Sequence, residues 1–263
     1  MKNVALITGA SSGIGKELAH IHAAKGGDLI LIARRKQTLQ SLADELKQSF
    51  GTNSLIIAKD LADPASVKEI YEEIVSQDIT VDYLINNAGL GEVGLFAEQQ
   101  WEINQNLLRV NMMALTELMQ RFLPDMVEKR KGKIMNISST ASLIPGPYQA
   151  TYFASKAYVT SMGYALSEEL KNTGITVTTI LPGPVDTEFG EVSGMSDTNL
   201  FKGYIANPKT VALESYEAMI AGKRKKLVGM SLAMKVGIPF MKFIPTSLIL
   251  SMVSKMQKPL SQK

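Results

Sequence analysis

Cysteine is absent from the 263 residues, so this chain can build no disulfide scaffold, thiolate zinc centre or cysteine nucleophile. Histidine is nearly absent. His20 and His22 are the two, and their spacing puts them on different faces of a helix, which leaves no basis for a multi-histidine metal site. The single tryptophan, Trp101, reads as a packing residue. Acids are missing from the last stretch: residues 218–263 hold nine bases and no Asp or Glu, whereas residues 1–217 hold 19 bases against 25 acids, a balance of −6. The body therefore gives no reason to expect nucleic-acid binding, and the tail invites an anionic partner or surface. Long hydrophobic runs are also lacking. The longest uncharged stretch near the C-terminus, Phe243–Ser254, has 12 residues, too short to span a bilayer. MKNVALITGA runs straight into a strand-like segment and does not read as a secretory leader; together with the absent cysteine this fits a reducing cytoplasm. Chemistry must come from Ser, Thr, Tyr, Lys, Asn or carboxylates, with a borrowed cofactor.

What is present is 45% hydrophobic and 20% charged residues, the balance of a globular protein. Short apolar runs at Val4–Thr8, Asp28–Ala33, Ser54–Ala58, Asp82–Asn86, Lys133–Ser138, Thr176–Leu181 and Lys226–Gly229 read as strands. Helical patterns separate them, over about Ile14–Lys25, Arg34–Phe50, Pro64–Gln77, Glu98–Lys129, Tyr152–Asn172 and Pro208–Ala221. Near-continuous apolar strands alternating with helices predict an α/β fold, a doubly wound parallel sheet covered on both faces. Ligands then bind at the edge formed by the strand C-termini. No linker or repeat divides the chain, so we expect one domain over residues 1–229 and a helical, amphipathic C-terminal extension over 230–263.

Two loops predict a dinucleotide. Thr8-Gly9-Ala10-Ser11-Ser12-Gly13-Ile14-Gly15 lies between the first strand and first helix. Its glycines admit positive φ and a close phosphate, and the helix start offers free N–H groups. The spacing is GxxxGxG, not GxGxxG, and a plain tight turn would also use these residues. After the second strand, where an NAD site places an acid, this chain has Ala33-Arg34-Arg35-Lys36. A guanidinium pairs with a 2′-phosphate that a carboxylate would repel, which favours NADP(H) over NAD(H). The alternative is a solvated start to the second helix.

Tyr152-Phe153-Ala154-Ser155-Lys156 puts a phenol and an ammonium on one helix face. Ser138 and Ser139 end the preceding strand at the ligand edge. Taken together, TGASSGIG, Asn86-Asn87-Ala88-Gly89, Asn111, Ser139 thirteen residues before Tyr152, Tyr152-x-x-x-Lys156 and Pro182-Gly183-Pro184-Val185-Asp186-Thr187 resemble the short-chain dehydrogenase/reductase superfamily, in order from residue 4 to about 229.

The resemblance implies a Rossmann fold, hydride exchange between a nicotinamide and a carbonyl or alcohol, and the catalytic set Asn111, Ser139, Tyr152 and Lys156. Tyr152 would move the proton, its high intrinsic pKa lowered by Lys156 and by the oxidised nicotinamide. Ser139 would bond the reacting oxygen; Lys156 would also hold the nicotinamide ribose, and Asn111 would position a relay water. Ser138 competes with Ser139, but its spacing to Tyr152 is one too long. The cofactor contacts implied are Gly9, Ser11, Ser12, Gly13, Ile14, Gly15, Arg34, Arg35, Asp60, Leu61, Asn87, Ala88, Gly89, Val110, Pro182, Val185 and Thr187, with Tyr152 and Lys156. In similar proteins the polar stretch after Thr187, to about Asn207, is a substrate loop, and dimers or tetramers are common, so a homo-oligomer is expected.

The extension carries Met230, Met234, Met241, Met252 and Met256 among Leu248, Ile249, Leu250 and Val253, interrupted by Lys235, Lys242 and Lys255. Such a basic, methionine-rich segment suits helices packed on the body or a partner subunit, a lid over a lipophilic substrate, or peripheral contact with an anionic membrane. Similar extensions occur in the DltE-like branch of the superfamily. The expected substrate is a hydrophobic carbonyl or alcohol. Alternatives are a 3-oxoacyl reductase of lipid metabolism, a non-catalytic NADP(H) sensor or scaffold, and a peripheral membrane protein.

Overall fold

A computed structural model describes residues 1–260. Seven strands, β1 (Ala5–Thr8), β2 (Leu29–Ala33), β3 (Ser54–Ala58), β4 (Tyr83–Asn86), β5 (Gly132–Ile137), β6 (Ile175–Pro182) and β7 (Lys225–Val228), form one sheet in the order β3-β2-β1-β4-β5-β6-β7. Every pairing is parallel. The order reverses between β1 and β4, which opens a crevice at the strand C-termini there. The helices are α1 (Gly13–Ala24), α2 (Lys36–Phe50), α3 (Ser66–Ser76), α4 (Trp101–Leu108), α5 (Leu115–Glu128), α6 (Ala150–Glu169), α7 (Glu188–Val192), α8 (Pro208–Ile220), α9 (Leu232–Gly237) and α10 (Thr246–Gln257).

The period-2 alternation of a strand sorts the sheet's side chains into two cores. Ala5, Ile7, Leu29 and Leu31 join one with α1, α2 and α8 residues; Leu6, Ile30, Ile32 and Leu84 join the other with α3, α5 and α6 residues. Both faces are therefore dry, which explains why the strands read as unbroken apolar runs.

Three stretches differ from the sequence expectation. The continuous helix expected over Glu98–Lys129 is a 3-10 turn at Phe96–Glu98, then α4, a π-helical segment Arg109–Ala114, and α5. The π turn carries Asn111, whose side chain bonds outside the helix, and a segment with one extra residue per turn gives the room. The helix expected from Pro64 begins at Ser66, after a turn in which Asp63 Oδ1 accepts from Ala65 N at 2.9 Å. The polar stretch after Thr187 folds as α7 and two 3-10 turns, Met195–Asp197 and Asn199–Lys202.

The extension closes over that stretch. Thr198 and Pro259 form an antiparallel bridge, Leu260 N donates to Asp197 O at 2.9 Å, and Gln149 Nε2 donates to Gln257 Oε1 at 2.7 Å between two buried amides. Ile249 and Val253 of α10 join Tyr152, Phe153, Leu107 and Met195 in a third, smaller core. Among the described residues no helix is long and apolar enough to cross a membrane.

The seat of α6 is set by Gly163. A Cβ there would collide with Thr179 Oγ1 of β6, so the helix lies closer to the sheet than any side chain would permit. Gly163→Ala is expected to destabilise the fold by about 1–3 kcal/mol. Adding Thr179→Ala, which removes a buried hydroxyl without a hydrogen-bond partner, is expected to recover most of that loss; urea denaturation of the single and double variants measures both.

Candidate active site

The turn after β1 is shaped by close approach. Gly9 and Gly13 have φ of +65° and +52°, a region that other L-residues enter reluctantly. At Gly15 a Cβ would collide with the Gly9 carbonyl oxygen and with Asn87 Nδ2. Asn87 donates from Nδ2 to Thr8 O at 2.9 Å, while the Thr8 hydroxyl accepts from Asn87 N and Ala88 N at 3.0 Å each. The glycine turn and the loop after β4 are thus one hydrogen-bonded unit. Ser12, at the N-cap of α1, makes no side-chain cap, so the first amides of the helix face the crevice as free donors.

That crevice opens into a cavity of about 700 Å³. Of the sequence-derived positions, Gly9, Ser11, Ser12, Gly13, Ile14, Arg34, Arg35, Asp60, Leu61, Asn87, Ala88, Gly89, Val110, Ser139, Tyr152, Lys156, Pro182, Val185 and Thr187 all line it. Gly15 and Asn111 stand behind its wall. At its β2 end there is no carboxylate between Ala33 and Lys36, and both arginines are exposed. The chemistry of this cradle fits a dinucleotide: glycine backbone and a bare helix N-terminus for a pyrophosphate, and guanidinium at the far ribose.

Ser138 and Ser139 separate cleanly. The Ser138 hydroxyl is buried, bonding Lys156 O at 2.9 Å and Thr160 Oγ1 at 2.7 Å. Ser139 caps the 3-10 turn Thr140–Leu143 by accepting from Ala141 N at 3.1 Å, and it acts on the Tyr152 phenol to lower its pKa. Tyr152 and Lys156 are 7% and 4% exposed, with Lys156 Nζ 5.8 Å from the phenol ring centroid. The ammonium donates to Ile137 O at 3.0 Å.

Burial pushes the Tyr152 phenol up to about 12, opposed by the bond from Ser139, and burial pulls the Lys156 ammonium down to about 8. Loss of hydration is the leading cause of both shifts.

Asn111, 1% exposed, donates from Nδ2 to Leu90 O and to Ser155 Oγ, both at 2.9 Å, and accepts from Leu90 N at 2.8 Å. Ser155 in turn donates to Tyr152 O at 2.7 Å. Both amide hydrogens are used within the protein, so the side chain ties the Leu90 loop to α6. Arg35 is also engaged: it bonds Ser11 Oγ at 3.1 Å and pairs with Glu188 Oε2 at 2.8 Å. No sequence signal marks Glu188, which lies 153 residues away.

The tyrosine end of the cavity is apolar. Phe153, Phe189, Met195 and Phe201 line it from the body, and Met230, Met234, Ile238, Met241, Ile244, Ile249, Met252, Val253 and Met256 line it from the extension. The regular methionines of the extension carried this information; which way they face did not follow from them.

A family model described as short chain dehydrogenase matches residues 3–196. The chain is 34% identical over 201 residues to a 3-oxoacyl-acyl-carrier-protein reductase of Staphylococcus aureus, covering 75% of this chain and 78% of that protein. It is 31% identical over 192 residues to a short chain dehydrogenase of Pseudocercospora fijiensis, covering 71% of this chain and 60% of that protein. A solved short-chain dehydrogenase from Sphingobium yanoikuyae in complex with NADPH superposes with a TM-score of 0.81 at 29% identity, over 93% of this chain and 97% of that one. The chain belongs to the short-chain dehydrogenase/reductase family, oxidoreductases that bind nicotinamide cofactors and act on small molecules.

A buried ammonium with one carbonyl partner opposes folding while it is charged. Its folded value of about 8 lies below the ordinary 10.5, so the penalty is complete below pH 8 and fades as pH rises towards 10.5. Lys156→Met is therefore expected to be inactive yet more stable than the parent by roughly 1–2 kcal/mol at pH 7, the gain shrinking between pH 8 and 10.5. Thermal melts across that range check it.

Proposed function

We propose that the protein is an NADP(H)-dependent reductase and dehydrogenase that interconverts a hydrophobic ketone or aldehyde and its alcohol. The observation that carries this reading is the convergence of Tyr152, Ser139 and Lys156 with an apolar chamber at the same sheet edge as the glycine turn. When bound, the dinucleotide supplies the hydride and, once oxidised, a positive charge beside the phenol.

The chain's own residues do the rest. Gly9–Gly15 and the α1 amides take the pyrophosphate, Arg34 and Arg35 the 2′-phosphate, and Asp60, Leu61 and Val110 border the adenosine. Val185 and Thr187 hold the carboxamide side, while Lys156 holds the nicotinamide ribose. Ser139 donates to the carbonyl oxygen, and Tyr152 gives that oxygen its proton. A phenol held near 12 is fully protonated at neutral pH, which suits the donor of a reduction. The reverse reaction needs the phenolate and speeds up with rising pH. Asn111 acts as a positioning residue, through Ser155 and the Tyr152 carbonyl. The lining supplied by the extension supports a lipophilic substrate, because a polar one would leave its groups unpaired there.

Tyr152→Phe is expected to lower turnover by about 10³-fold while NADPH still binds. NADPH oxidation across ketones, aldehydes and 3-oxoacyl thioesters measures it and separates a carbonyl reductase from an acyl thioester enzyme. A variant as active as the parent would remove the catalytic assignment and leave a binding protein. Arg35→Ala is expected to weaken NADPH by roughly 10- to 100-fold with little change for NADH, as read by fluorescence titration of the two cofactors.

A further inference from the structure

We propose that the outer face of the C-terminal extension seats on an anionic lipid bilayer and that the cavity takes its substrate from that bilayer through a methionine-rimmed mouth. The first half stands alone; the second rests on the carbonyl reductase reading above.

Helix α10 has two apolar stripes. Ile249 and Val253 are buried against the body, and one residue over, at four-residue spacing, Leu248, Met252 and Met256 are exposed. Met252, 53% exposed, and Met256 also line the cavity. They are therefore rim residues, reached from inside and outside at once. Val192 is 70% exposed and lines the same cavity, as does the exposed Met234 of α9. Outward from Met234, α9 and the turn after it add Val236 and Phe240, the latter 61% exposed. A mouth meant for a water-borne carbonyl has no use for such a collar, and exposed apolar clusters of this kind mark contact surfaces.

Charge selects the partner. Of the bases in residues 218–263, Lys223, Arg224, Lys225 and Lys226 lie just before or at the start of β7, at the sheet edge away from this mouth. Lys255 and Lys258 are exposed beside the methionine stripe, while Lys235 is paired with Glu214 at 3.7 Å. On the segment after Thr187, Glu188, Glu191 and Asp197 are the exposed acids, Glu188 being paired with Arg35. A bilayer bearing anionic headgroups meets both Lys255 and Lys258 and the apolar collar between them and α9. No described helix can span a bilayer, so the segment lies on the surface.

Flotation of the full chain with vesicles of phosphatidylcholine alone, and of phosphatidylcholine mixed equally with phosphatidylglycerol, tests the surface. Partitioning is expected on the anionic vesicles and is expected to fall with salt. Lys255→Gln with Lys258→Gln is expected to weaken it roughly 25-fold, about fivefold per charge. Val236→Ser with Phe240→Ser is expected to release the protein while NADPH binding and melting temperature hold. In both double variants, reduction of a long-chain methyl ketone dissolved in anionic vesicles should fall, and reduction of a small water-soluble ketone should not. Absence of partitioning, equal partitioning on the two vesicles, or a patch variant that changes the oligomeric state by light scattering with vesicle binding intact would overturn the proposal. Vesicle binding by a protein that reduces no carbonyl would keep the surface and overturn the reductase reading.

Discussion

The seating of α6 on β5 and β6 is the constraint on which the rest of the site depends. Gly163 lets the helix descend onto Thr179, and Ser138 reaches from the end of β5 to the Lys156 carbonyl and the Thr160 hydroxyl. With the helix fixed in depth and rotation, Lys156 is carried to the Ile137 carbonyl and Tyr152 to Ser139. The first turn of the same helix bears Gln149 at its cap, which binds Gln257 of α10. One helix thus sets Tyr152 and Lys156 and anchors the roof above them.

The same arrangement stores an unfavourable term. A phenol and an ammonium are both taken from water, and each is driven towards its neutral form. Stability alone would replace the lysine by an apolar side chain. Around the pair, the protein spends its polar contacts on rigidity. Asn111 locks the Leu90 loop to α6, and Thr8 with Asn87 locks the glycine turn to the loop after β4. Positioning by fixed hydrogen bonds is what a hydride transfer over a short distance requires.

The extension changes what the fold offers to a substrate. Without it the crevice would lie open beside Tyr152; with it, α9 and α10 turn the same crevice into a chamber walled by methionine and isoleucine. Methionine suits this wall because its unbranched, polarizable side chain adapts to varied apolar shapes. The segment after Thr187 is held beneath by Asn199 Nδ2 bonding Lys255 O at 3.1 Å and by the Thr198–Pro259 bridge. The roof and the segment after Thr187 therefore form one layer.

Local periodicity and turn chemistry determined the strands, the glycine turn and the i, i+4 pairing of Tyr152 with Lys156, because each depends on residues close together in the chain. The sequence likewise contained the methionines and bases of the extension, though not which of them look inward. Only the folded chain decided that Asn111 ties the Leu90 loop to α6, that Arg35 meets Glu188, and that burial raises the Tyr152 phenol. Those outcomes depend on groups far apart in sequence and on how much water is left around them, and neither quantity exists until the sheet, α6 and α10 have packed together.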